Sequence, residues 1–272
     1  MRVFIFGAGK VGAGLARAIR KAGWQATLRP ARKGLPKRAI LADLVVFAVR
    51  DRDLSPLAVA VAASGLISRR AACVHVAGAL GPEALASLRK VTAGVGQMHP
   101  MISFASATFS PSLARGNLHV QGDRVAVARA RALGRRLGMT PRTIDALDTV
   151  GYHAAAGLLA NGAGALAAVA SDLLVRSGVR REDAPLMLGP LLRSVAENVE
   201  TLGFPGSLTG PVRRGEAESV ARHLAVLKQR APEAVPLFIQ AARAQLPLAR
   251  ALSDAPPSAF VAVESVLDDH RS

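Results

Sequence analysis

Residues 2–23 read RVFIFGAGKVGAGLARAIRKAG: a short apolar run, a glycine-rich turn and a helical pattern in direct succession. No other stretch narrows the possible folds as much. Residues 3–6 suit a buried parallel strand. Gly7, Gly9 and Gly12 match G-x-G-x-x-G, and Val11, Leu15, Ala18 and Ile19 continue at helical spacing. The first glycine allows the tight turn, the second lets the backbone approach a pyrophosphate, and the third lets helix and strand pack closely. The start of the helix adds free N–H groups and partial positive charge. Gly7, Gly9, Lys10, Val11 and Gly12 are therefore expected to hold a dinucleotide. The plain alternative is a strand–helix corner with no ligand.

A second strand is expected at residues 25–28, which puts Arg29 about twenty residues past the glycine turn, where an acidic residue would grip the ribose 2′-hydroxyl of NAD. The segment ATLRPARK (26–33) holds no acid; it carries Arg29, Arg32 and Lys33 instead. Guanidinium groups bind phosphate in a bidentate, charge-assisted way. The expected cofactor is accordingly NADP(H), with Arg29 and Arg32 as the 2′-phosphate clamp and Lys33 as support. A solvated basic loop is the alternative.

Further strands are expected at 41–51, 71–78, 92–100, 117–122 and 141–145, with helical stretches such as SPLAVAVAASGLI and GPEALASLRK between them. This alternation implies a mostly parallel sheet whose ligands lie at the strand C-terminal ends. Val49 and Arg50 end one strand and Gly78 the next, and all three are expected near the cofactor. His99, in QMHPMISFAS, is a candidate substrate contact; a loop-stabilising hydrogen bond is its alternative. Cys73, His75 and His119 lie inside apolar strands and read as core. The interval between Arg29 and Asp43 is short, leaving room at 35–41 for no more than a short helix.

Around Asp148 the character changes to long helical patterns, which divides the chain into an α/β Rossmann-type domain at 1–147 and an all-helical domain at 148–272. Residues 149–178 form one long helix rich in small residues. His153 and Asn161 are eight positions apart, about 80° around that helix, and share a broad face. His153 is the candidate proton donor, since histidine ordinarily titrates near neutrality, and Asn161 the candidate orienting group. Helix packing would explain both equally. A second helix at 184–203 is ended by Gly203-Phe204-Pro205. In SLTGPVRRGEAESVARHLAVLKQ, Thr209 and Arg213 offer a hydroxyl and a guanidinium suited to a carboxylate, or else merely connect two helices.

The formal charge is +16, from 35 basic and 19 acidic side chains, yet the cations are spread along the chain. One Trp, one Tyr and eight Phe make no stacking platform for single strands, so small anionic molecules are expected as partners and no specific nucleic acid. A single cysteine excludes an intrachain disulfide and a cysteine-rich metal site, and no metal is expected. No contiguous apolar run reaches the ~18 residues of a membrane span, and structure begins at the N-terminus; a cytoplasmic protein without a membrane partner is expected. Packing of the helical domains suggests a homodimer.

GAGKVG, LADLVVFAV, HVAGALG, GQMHPMISFAS, YHAAAGLLAN and LTGPVRRGEAESVARHLAVL occur in this order along nearly the whole chain. Together they resemble the Rossmann-like proteins with a C-terminal helical domain of unknown function, in the 6-phosphogluconate-dehydrogenase-like group. That group is similar to deazaflavin-dependent NADP oxidoreductases, pyrroline-5-carboxylate reductases and an alternative type of ketopantoate reductase. The resemblance implies an NADP(H)-dependent reductase of a small anionic carbonyl or imine compound. It places His99, His153, Asn161, Thr209 and Arg213 around nicotinamide and substrate. A non-catalytic NADP(H) sensor is the alternative. Many relatives pair a helical lysine with an asparagine four residues later; here Gly157 stands before Asn161, so another group must move the proton.

Overall fold

The computed structural model describes residues 1–269. It forms two compact units, Met1–Ala160 and Asn161–Ser272. The division falls inside a helix that begins at Thr149.

The first unit is built on a seven-stranded sheet. Its strands are β1 (Arg2–Phe6), β2 (Gln25–Arg29), β3 (Leu44–Phe47), β4 (Ala72–His75), β5 (Gly94–Pro100), β6 (Asn117–Gly122) and β7 (Thr140–Arg142), in the order β2-β1-β3-β4-β5-β6-β7. The first five run parallel, β6 pairs antiparallel to β5, and β7 runs parallel to β6. The mostly parallel sheet read from the sequence is the one observed. Alternate residues of β1 serve opposite faces, as the period-2 pleat requires. Val3 and Ile5 join a core with Leu15, Ile19 and Leu133, under α1 (Lys10–Lys21) and α3 (Arg124–Arg136). Phe4 and Phe6 join the other, with Phe47, Leu54, Val61 and Leu85, under α2 (Asp51–Ala63) and a 3-10 helix at Pro82–Leu88. Cys73, His75 and His119 are buried, as read.

Between β2 and β3 the chain makes only a 3-10 turn at Ala31–Lys33, reverses at Gly34 (φ 62°) and returns through an isolated bridge from Ile40 to Ile67. The full crossover helix of a mononucleotide-binding half is missing, in line with the short interval in the sequence. This leaves β2 as a bare edge strand, where Arg20 donates from both Nε and Nη2 to the Ala26 carbonyl.

The long helix is α4 (Thr149–Arg176), followed by α5 (Ala184–Gly206), α6 (Ala217–Arg230), α7 (Val235–Leu252) and α8 (Pro257–Asp268). α5 breaks at Gly203 and Phe204, whose backbone angles are not helical. Val220, Leu224, Ile239, Leu246, Phe260 and Val263 make the core of the helical unit. α4 contains no buried residue. Although Asn161, Gly162 and Gly164 interrupt its apolar run, it is long and apolar enough to cross a membrane by length and composition. α4 and α5 expose large apolar side chains, including Leu158, Leu159, Leu186 and Leu191.

Candidate active site

The glycine turn lies where the strand order reverses, beside the end of β3. Gly7 adopts φ 103°, and a Cβ there would stand 2.1 Å from the Ala48 carbonyl oxygen. A Cβ on Gly12 would lie 1.9 Å from the Gly7 carbonyl oxygen. Gly9 is different: no atom comes within 4 Å of the place its Cβ would take. It also caps α1 without any side-chain hydrogen bond, so the first amides of the helix have no side-chain acceptor. Two glycines thus fix the turn and the third leaves open space at a helix N-terminus, which fits a pyrophosphate. Lys10 is exposed, and Val11 packs on the α1 side of the sheet. Val49 packs on the opposite side, and Arg50 is exposed as the residue capping α2.

The basic segment divides its labour. Arg29 donates from Nε to the Gly34 carbonyl (2.6 Å) and from Nη2 to the carbonyls of Lys33 (2.7 Å) and Leu35 (2.8 Å). It folds the loop around its own guanidinium, leaving the Nη1 hydrogens for a ligand. The side chains of Arg32 and Lys33 are exposed and make no hydrogen bond or ion pair among the described residues.

Further along the strand ends, Gly78 is buried between two imidazoles. A Cβ at Gly78 would fall 2.3 Å from His153 Nδ1 and 2.8 Å from His99 Nε2. The His99 ring meets Tyr152 and His153 edge to face, with centroids 5.5 and 5.6 Å away. His99 and His119 are direct partners in the β5–β6 register, so they share a face of the sheet, and Tyr152 also packs against His119 at 5.6 Å. Gln97 Nε2 donates to the carbonyls of Ala77 (2.8 Å) and Gly78 (3.3 Å), which fixes the chain leaving β4. Thr149 Oγ1 reaches the Ala79 carbonyl at 3.3 Å and seats the start of α4 on the same segment.

Burial, reinforced by the neighbouring imidazoles of His153, His119 and His75, lowers the His99 pKa to about 4. His99 is therefore a neutral imidazole at physiological pH, able to donate or accept a hydrogen bond. Burial raises the Tyr152 pKa above its ordinary value, so its hydroxyl keeps its proton. His153 is more exposed than either. His99 and His153, proposed from sequence, are brought together with Gly78. Tyr152 and Gln97 were missed; the one signal for Tyr152 is that the sole tyrosine directly precedes His153.

In the helical unit Asn161 and Thr209 are exposed. Arg213 is already engaged: its Nε lies 2.5 Å from the Asp254 carboxylate and its Nη1 donates to the Leu208 carbonyl at 2.7 Å. Arg214 pairs with Glu216 at 2.6 Å. Among the described residues no group of three or more His, Cys, Asp or Glu could hold a metal ion.

A glycine turn at the switch point of a parallel sheet covered on both faces defines a Rossmann-type dinucleotide-binding fold. Residues 117–245, from β6 into α7, match the family described as a domain of unknown function (DUF2520). Among solved structures the chain is similar to a Bacteroides fragilis protein assigned as an NADP oxidoreductase, at 19% identity, covering 90% of this chain and 97% of that one, with a TM-score of 0.69. A Thermotoga maritima protein aligns at 20% identity over 92% and 98% of the two chains, TM-score 0.63. Plasmodium falciparum pyrroline carboxylate reductase, solved with NADP bound, aligns at 13% identity over 100% and 97%, TM-score 0.59. At these identities the likeness is one of fold, and it agrees with the group that the sequence motifs resemble. No curated protein matches the chain.

Proposed function

We propose that this protein is an NADP(H)-dependent reductase of a small anionic carbonyl or imine compound, with 2-keto acids such as ketopantoate as the first candidates. The observation that carries the reading is the pairing of open space at Gly9 with two unengaged cations, Arg32 and Lys33, beyond the end of β2. Gly7, Gly9 and Gly12 would hold the pyrophosphate, with Lys10, Val11, Val49, Arg50 and Gly78 along the cofactor. Arg32 and Lys33 would take the 2′-phosphate on a loop shaped by Arg29. When bound, the nicotinamide supplies the hydride.

The chain's own groups supply the rest. Neutral His99 orients the substrate by hydrogen bonding, and Tyr152 holds the His99 ring. His153 delivers the proton to the developing alkoxide or amine. The exposed apolar side chains of α4 and α5 support a homodimer, because patches of this kind mark interaction surfaces.

The test is a titration with NADPH and NADH that follows quenching of Trp24, the only tryptophan, and then a turnover screen of keto acids and cyclic imines. Tight NADPH binding with turnover of at least one compound supports the reading. Binding without turnover leaves a sensor, and no binding of either nucleotide removes the reading altogether.

A further inference from the structure

A second basic site lies away from the glycine turn, at the opposite end of the sheet. α3 buries Ala126, Ala130, Leu133 and Gly134. On its outer side Arg124, Val127, Ala128, Arg131 and Arg135 form one stripe, which lines an open groove of about 780 Å³ together with Gln121, Thr143 and Asp145. That is the size of a small-molecule site. Arg124 and Arg135 make no hydrogen bond or ion pair among the described residues.

Arg131 is held in place. Its Nη2 donates to Thr143 Oγ1 at 2.8 Å, and the Thr143 hydroxyl passes its own hydrogen to the Val120 carbonyl at 2.8 Å. The hydroxyl has only one hydrogen, so this relay fixes which lone pairs face Arg131 and orients the guanidinium. Arg131 Nε is nevertheless buried and without a partner. The Nη1 group is not closed off in this way, and its two hydrogens are the donors that the groove can use. The opposite wall is constrained as well: Ala146, a non-glycine residue lining the groove, holds φ 52°, a conformation that costs an L-residue energy.

We propose that this groove binds a phosphorylated, hydroxyl-bearing small molecule, such as a sugar phosphate or a mononucleotide. Arg131 and Arg135 stand one turn apart, about 6 Å along the helix, and grip the phosphate from two sides. Arg124 lies about 10 Å away, toward the helix N-terminus, and takes a second acceptor. Asp145 and Gln121 receive the hydroxyl groups. This assignment is independent of the reductase reading, since it involves none of the glycine-turn residues.

The test is calorimetric titration of the full chain with ribose 5-phosphate and AMP. Either ester is expected to bind, at least tenfold more weakly in Arg131→Gln and in the exposed Arg135→Gln. Thr143→Val retains every charge but releases the guanidinium, and a several-fold loss is expected there. Arg32→Ala and Gly9→Ala should leave this binding unchanged. Absence of binding, equal binding in Arg131→Gln, or loss in Gly9→Ala instead would overturn the proposal. So would binding of a single-stranded oligonucleotide with no binding of either ester, since the stripe would then be a nucleic-acid contact.

Discussion

The Tyr152 hydroxyl lies 3.4 Å from His99 Nδ1, with the two rings edge to face. Both residues are partly buried, and burial keeps the His99 imidazole neutral down to about pH 4. In the unfolded chain the same ring would protonate near its ordinary value of about 6.5. Between those two values the unfolded state binds the extra proton, so stability is fully present above about pH 6.5 and is lost as pH falls toward 4. His75 and His119, also lowered by burial, act in the same direction. The effect for His99 alone is at most about 3.4 kcal/mol. Melting temperatures measured from pH 7 to 4 should fall, and His99→Gln should flatten that slope. An equal slope in the variant would remove His99 from the account.

Gly78→Ala is predicted to impair activity far more than stability. The three atoms nearest the added Cβ would be ring atoms of His153 and His99. Side chains can swing aside where backbone cannot, so melting should shift by only a few degrees. The displaced imidazoles should lower kcat by tenfold or more. A large loss of stability with normal residual turnover would contradict the proposed site.

The three turn glycines should separate cleanly. Gly7→Ala and Gly12→Ala drive a methyl group into backbone carbonyl oxygens and should unfold the protein or lower its expression sharply. Gly9→Ala meets nothing in the protein, so its melting curve should match wild type while NADPH affinity drops at least tenfold. Calorimetry beside thermal melting distinguishes the two classes. Unchanged NADPH affinity in a folded Gly9→Ala protein would mean that no pyrophosphate approaches this turn.

Arg29 and Arg32 are both basic but are predicted to differ in kind. Arg32→Ala removes an unengaged charge and should reduce the preference for NADPH over NADH about tenfold, with Arg32→Lys retaining much of it. Arg29→Lys should fail to rescue, because a lysine cannot make the three carbonyl contacts of the guanidinium fork. Equal rescue by lysine at both positions would show that only charge matters in this loop.

The sequence was most readable where its chemistry is local. The β1 run, the glycine turn, the missing helix before β3 and the apolar face Val220, Leu224 and Leu227 of α6 all follow from spacing and residue type. α3 escaped notice because its buried face is mostly alanine and glycine and its other positions are rich in arginine. Hydrophobic periodicity is faint when the core side is made of small residues. The engagement of Arg29 with its loop, and of Arg213 with Asp254, was also invisible. Both depend on partners whose proximity is decided only when the chain has folded. Tyr152 was overlooked for the same reason: its partner His99 is 53 positions away.

Oligomerisation can be tested on α4 and α5 directly. Leu158 and Leu159 are 80% and 76% exposed, and Leu186 is 72% exposed, far more than a self-sufficient soluble helix pair needs. Light scattering should give the mass of a dimer for wild type and of a monomer for Leu159→Glu combined with Leu186→Glu. A wild-type monomer at tens of micromolar would refute the homodimer.

The doubled bond from Arg20 to the Ala26 carbonyl bears on how this chain behaves in a crowded solution. With no helix leading out of β2, the sheet ends in a strand whose outer backbone groups could template growth by a strand from another molecule. A guanidinium across that carbonyl occupies an acceptor an incoming strand would need and leaves a positive charge at the rim. Arg20 of α1 thus caps one acceptor of the β2 margin and sets a positive charge beside it, two features that disfavour the addition of a strand from another molecule.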